Sequence, residues 1–189
     1  GRKLQLVTLD DGYDPATARN NTLQFIHNEG VTGFIGFVGT APVLGIVDLV
    51  NSAHMPLIGP YTGSSLVRGP FPLMRNIFNI RASYDDETAA ILNYLANYRS
   101  VRRIGVFYQN DSFGTSTLDG VQKACKVLGI SILTYGTFER NSVDILNAFN
   151  SIMTDKIEAI MLISTMLQSS LFIRMVRNST APNAKTILI

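Results

Sequence analysis

Short apolar runs alternate with longer amphipathic segments from one end of the chain to the other, and this alternation is its strongest structural constraint. Residues 4–9, 34–38, 55–58, 77–81, 104–108, 130–135, 159–163 and 186–189 read as strands. Between them, residues 15–29, 42–54, 84–98, 115–128, 143–153 and 166–177 read as helices. The helix signals are local: Asp14-Pro15 supplies an N-cap and a first-turn proline, and Asp85-Asp86-Glu87 places negative charge at a helix start. Gly30 and Gly129 stop their helices. Strands joined by helices run parallel, because a parallel neighbour is reached only by a crossover. The expected class is therefore α/β, with parallel sheets flanked by helices. Composition agrees, since 46% of residues are hydrophobic and 16% charged, against about 25% charged in an ordinary soluble domain. Strands covered on both faces read as near-continuous apolar runs, which predicts such burial here.

The rhythm breaks once, between residues 59 and 74, where Gly59, Pro60, Gly63, Gly69, Pro70 and Pro72 crowd together. A short polar connection at 99–103 follows, so the chain divides into two expected lobes, 1–98 and 99–189. Both ends fall inside strand patterns, and the expectation is a fragment of a longer protein. Several classes are excluded. The apolar content rules out a disordered chain. A net charge of +2 from sixteen basic and fourteen acidic residues, with no basic run beyond Arg102-Arg103, argues against nucleic acid as a partner. No apolar stretch approaches the about 18 residues of a membrane span. Residues 1–6 lack the apolar segment of a signal peptide.

Catalytic machinery is sparse, and no catalytic residue is assigned. His27 and His54 are the only histidines and sit near helix ends, where a structural role suffices. Cys125 lies within a helix, without the setting that activates a thiol. Asp10, Asp11 and Asp14 are accounted for by a turn and a helix cap. No metal-ligand spacing occurs, so no metal is expected. Gly33, Gly36 and Gly39 lack the order that cradles a pyrophosphate, and no phosphate-binding lysine loop is present. No cofactor is expected. What remains is a set of small polar and aromatic residues after strands: Thr40 and Ala41, then Tyr61, Thr62 and Gly63, then Phe113 within 110–114, and Thr165 after Ser164. Open α/β sheets bind ligands outside the carboxyl ends of their strands. Hydroxyls and amides there suit an anion such as a carboxylate, and Tyr61 and Phe113 could wall a pocket. The same loops are polar in any α/β protein, so the residues alone leave both readings open.

A family resemblance extends this reading. Residues 3–15, from Lys3-Leu4-Gln5 to Tyr13-Asp14-Pro15, resemble the second strand and turn of leucine/isoleucine/valine-binding proteins, the type I periplasmic substrate-binding components of ABC transporters. Pro56-Leu57-Ile58-Gly59-Pro60-Tyr61-Thr62-Gly63, with Leu66 and Arg68, is similar to that family's Pro-x-x-Gly-Pro-Phe/Tyr-Thr-Gly loop. The stretches 78–88, 103–114 and 135–144 follow in matching order. The resemblance implies a type I periplasmic-binding-protein fold of two Rossmann-like lobes closing on a ligand, here without the first strand and helix and the C-terminal part. It implies that Thr40 and Ala41 occupy one ligand loop and Tyr61, Thr62 and Gly63 a second. Phe113 stands where the family usually has tyrosine before glycine, and Thr165-Met166 where many members carry an aromatic residue. The acidic residue that pairs with a ligand ammonium would lie beyond Ile189.

The function implied is capture of a small polar solute, an amino acid or amide, outside the cytoplasm for an ABC transporter permease, without chemistry. The alternative is the ligand-binding ectodomain of a membrane receptor, for example a protist receptor-type adenylate cyclase. Sequons at Asn20, Asn110 and Asn178 are compatible with that route and also arise by chance. A Rossmann-type enzyme is the third class.

Overall fold

The computed structural model describes residues 3–69, 74–153, 156–179 and 186–189. Residues 70–73 of the irregular stretch and Thr180 of the third sequon lie outside them. The chain groups into two compact units, Gly1–Ala82 and Ser83–Ile189.

The first unit begins with acidic turns. The Gly12 amide donates to Asp10 Oδ1 and the Tyr13 amide to Asp11 Oδ1, each at 2.8 Å. Asp14 then accepts from the Thr17 amide at 2.8 Å and opens α1 (Pro15–Gln24). A π-helical turn, Phe25–Glu29, follows and ends at Gly30, whose φ of 59° is left-handed. Three short parallel strands, β1 (Phe34–Ile35), β2 (Leu57–Ile58) and β3 (Ile77–Phe78), pair in the order β1-β2-β3. The helix expected over 42–54 is two helices, α2 (Thr40–Leu44) and α3 (Val47–Ser52). Arg19 explains the break: its guanidinium donates to the Gly45 carbonyl at 2.9 Å and grips Asp48 with both nitrogens. A carbonyl turned to Arg19 is diverted from the helical ladder.

Two expectations fail in this unit. Residues 4–9 form no strand: they pair with no described neighbour, and Leu4, Leu6 and Leu9 stay exposed. Among the described residues the sheet is also covered on one face only. Phe34, Leu57 and Ile77 lie in register and are buried, while the opposite row, Ile35, Ile58 and Phe78, is exposed.

In the second unit, α4 (Tyr84–Tyr98) precedes β4 (Arg103–Gln109), α5 (Ser112–Leu128), β5 (Ser131–Phe138), α6 (Leu146–Ile152), β6 (Ala159–Ile163), α7 (Met166–Asn178) and β7 (Ile187–Leu188). All four strands are parallel, in the order β5-β4-β6-β7. Helices cover both faces here. Leu92, Leu95 and Ala96 of α4 share a core with Val121, Ala124 and Cys125 of α5 and with Ile104, Val106 and Met161 of the sheet. Phe107, Phe138 and Ile160 form the other core with Ala148, Ile152, Phe172 and Val176. Because α4 packs its apolar stripe on α5, residues 83–98 group with the second unit. The join expected at 98/99 thus differs from the division between Ala82 and Ser83.

Candidate ligand-binding site

In the first unit, the loops after β1 and β2 are zipped together beyond the sheet. The Tyr61 amide donates to the Phe37 carbonyl at 2.8 Å, the Gly39 amide donates to the Tyr61 carbonyl at 3.1 Å, and Val38 and Tyr61 form a parallel bridge. Gly39 makes this crossing with φ 96° and ψ 149°, a conformation reserved for glycine. The ladder brings Thr40, Ala41, Tyr61, Thr62 and Gly63 to one end of the sheet. The Thr40 and Thr62 hydroxyls are 2.7 Å apart and fully buried, so they bond each other and fix one loop on the next. Thr62 Oγ1 also accepts the Ser64 amide at 3.2 Å, and Ser64 in turn caps a 3₁₀ turn, Ser65–Val67. What faces outward is the Tyr61 ring, 62% exposed, with the Arg81 guanidinium 4.9 Å from its centroid. At that distance a cation–π attraction holds the ring and the charge together.

In the second unit, Phe113 and Thr165 follow β4 and β6. Because β5 lies on the far side of β4, the order of strands reverses between β4 and β6. That reversal is the topological switch point at which open α/β sheets bind ligands. Asp111 caps α5, accepting from the Phe113 amide at 2.9 Å and from Gln109 Nε2 at 2.7 Å. A Cβ on Gly114 would lie 1.8 Å from the Gln109 carbonyl oxygen, so the helix start packs directly on the strand end. The half-buried Phe113 ring rests against Tyr84, centroids 5.6 Å apart, and also packs on the core. Thr165 donates its hydroxyl to Gln168, whose own amide nitrogen donates to the Ser142 carbonyl at 2.9 Å.

The sequence did not single out Arg68 or Arg81 as functional, although both lie in the quoted motifs. In the sequence Gly39 signals only a close approach or a turn. His27 and His54 are both exposed rather than packed in a core. Cys125 is buried, and burial pushes its thiol up from 9.0 to about 11. The fold therefore favours the neutral thiol, and the stability this contributes is lost as pH rises from 9.0 through about 11. Native protein at pH 8 should resist iodoacetamide and label fully in denaturant, read by intact mass; rapid stoichiometric labelling of the native chain would contradict this burial. Among the described residues, no cluster of three or more His, Cys, Asp or Glu is placed to hold a metal, and no helix is long and apolar enough to cross a membrane.

Two parallel α/β sheets, each with polar and aromatic loops at its strand ends, match the architecture of the type I periplasmic-binding-protein fold. The chain belongs to the periplasmic binding protein family, whose model matches residues 1–185. A structure described as a possible leucine/isoleucine/valine-binding protein from Rhodopirellula baltica is 28% identical, with a TM-score of 0.82 over 92% of this chain and 47% of its own. A substrate-binding periplasmic protein from Ralstonia solanacearum is 27% identical, with a TM-score of 0.82 over 91% of this chain and 48% of its own. An ABC-transporter solute-binding protein from R. palustris, in complex with benzoate, shares the fold at 17% identity, with a TM-score of 0.85 over 100% of this chain and 51% of its own. The chain thus spans about half the length of the solved structures it matches. No curated protein matches it.

Proposed function

We propose that this chain is part of an extracytoplasmic solute-binding protein that captures a small polar molecule of the amino-acid or amide class and presents it to an ABC importer. It carries out no bond chemistry. The observation that carries the reading is the zipped pair of loops after β1 and β2. Their backbone ladder and buried Thr40–Thr62 bond fix the two loops on each other and hold the Tyr61 backbone. Preorganisation of this kind raises affinity by lowering the cost of ordering the loop on binding. Ala41 and Gly63 belong to the same two loops and are proposed to contribute with them. In the second unit, Phe113 and Thr165 are the contact candidates at the switch point. The 28% identity to a protein described as a possible leucine/isoleucine/valine-binding protein supports the ligand class.

The test uses the full-length protein, titrated with L-leucine and L-valine. Tyr61→Ala and Phe113→Ala should each weaken binding at least tenfold while leaving the circular dichroism spectrum native. Unchanged affinity in both variants would remove these loops from the site.

A further inference from the structure

Arg68 stands at the end of the 3₁₀ turn that Ser64 caps, and its guanidinium reaches across to the last residues of the first unit. Its Nη2 donates to the Arg81 carbonyl at 2.5 Å and lies 3.3 Å from the Ala82 carbonyl. Beside it, Asn79 Nδ2 donates to the Val67 carbonyl at 3.1 Å. Residues 64–68 are thereby tied to residues 79–82 by side chains running in both directions. Ala82 is where the first unit ends.

Traced from the other side, the same contacts begin at the ligand loops. Thr40 bonds Thr62, Thr62 holds the Ser64 amide, and Ser64 caps the turn that ends at Arg68. We infer that Arg68 is a positioning residue that couples the Tyr61–Ser64 ligand loop to the segment leaving the first unit. This inference rests on the solute-binding reading for its purpose, but not for its geometry. A guanidinium suits the role, because its planar donors hold neighbouring carbonyls in a fixed relation, which a lysine ammonium does not.

A second observation bears on how the clasp works. Arg68 Nε and Asn79 Oδ1 are both buried with no hydrogen-bond partner among the described residues. One is a donor and the other an acceptor, on residues already fastened to each other's segments. Buried polar atoms left unpaired are costly and rare. One unsatisfied donor and one unsatisfied acceptor thus sit on the two residues that tie these segments together.

The experiment is NMR mapping of amide chemical shifts on ligand-free full-length protein, in a double-mutant cycle. Thr62→Val perturbs the loop at a distance from the clasp. With Arg68 present, it should displace the Ala82 and Ser83 amide resonances, which report the Arg81 and Ala82 carbonyls that Arg68 holds. In an Arg68→Met background, Thr62→Val should displace those resonances by less than half as much. Arg68→Lys, which keeps the charge but gathers its donors on a single nitrogen, should lie between. Equal effects of Thr62→Val in the presence and absence of Arg68 would overturn the coupling. If Arg68→Met fails to fold, the Lys background decides, and a full-size effect there overturns it equally. L-leucine is a separate arm. Failure of wild type to bind it, with the cycle non-additive, would count against the ligand class and leave the clasp standing.

Discussion

Phe107→Ala is expected to cost about 3–5 kcal/mol of stability, the range for emptying a buried aromatic site. Phe107 is fully buried in β4, at the centre of the core under α6 and α7. Its ring is stacked on both sides, with centroids 4.8 Å from Phe138 and 4.3 Å from Phe172. Phe172 in turn meets Phe149 edge-on at 5.9 Å. Removing the middle ring takes away its own burial and also the contacts of both neighbours, whose close packing leaves little room to collapse. Phe107→Leu should lose less, because it keeps most of the volume. Urea unfolding of the full-length protein measures this, with Tyr98→Ala as a control. Tyr98 is 74% exposed and should change stability by no more than about 0.5 kcal/mol. A loss below about 1 kcal/mol at Phe107 would contradict the central place given to this stack.

Gly39→Ala should be nearly as damaging, for reasons of backbone rather than packing volume. The position needs φ 96° and ψ 149°, which costs any other residue about 1–3 kcal/mol. The new Cβ would also lie 2.2 Å from Tyr13 Cε2, adding about 1–3 kcal/mol of overpacking. Together these predict a loss of about 2–6 kcal/mol. The damage lands on the candidate site, because the Gly39 amide holds the Tyr61 carbonyl and Thr40 follows directly. Ligand affinity should therefore fall more than tenfold in whatever fraction stays folded. Tyr13→Ala combined with Gly39→Ala removes the clash but keeps the strain, so it should recover part of the loss and not all. A neutral Gly39→Ala would show that the two loops do not depend on this crossing.

The second unit was the more legible in sequence, and its packing explains why. Expected elements at 84–98 and 159–163 coincide with α4 and β6, and the other boundaries there move by a few residues. Helices cover both faces of that sheet, so apolar runs, caps and stops all favour the same answer. The first unit was harder to read. Its strands β1 and β2 stop after two residues because Gly36 and Gly59, at φ 81° and 60°, turn the backbone away from extended form. The split between α2 and α3 depends on Arg19, distant in sequence, reaching the Gly45 carbonyl. Residues 4–9 have a strand's alternation but no described partner, and pattern cannot supply a partner.

The candidate site divides along the same line. Polar residues after each strand were visible, and the switch point gives Phe113 and Thr165 a common location. That the Thr40 and Thr62 hydroxyls bond each other instead of facing outward was not visible, since it depends on the Val38–Tyr61 bridge. The roles of Arg81 over Tyr61 and of Arg68 at the unit's end are likewise products of tertiary placement.

The central claim is capture of a small polar solute, and a calorimetric titration of the full-length protein against a panel of L-amino acids and short amides tests it most directly. At least one should bind with a micromolar or tighter Kd, and at about 100 times that Kd should stabilise the fold by about 2.7 kcal/mol. Folded, full-length protein that binds no member of the panel, and gains no stability from any, would contradict it.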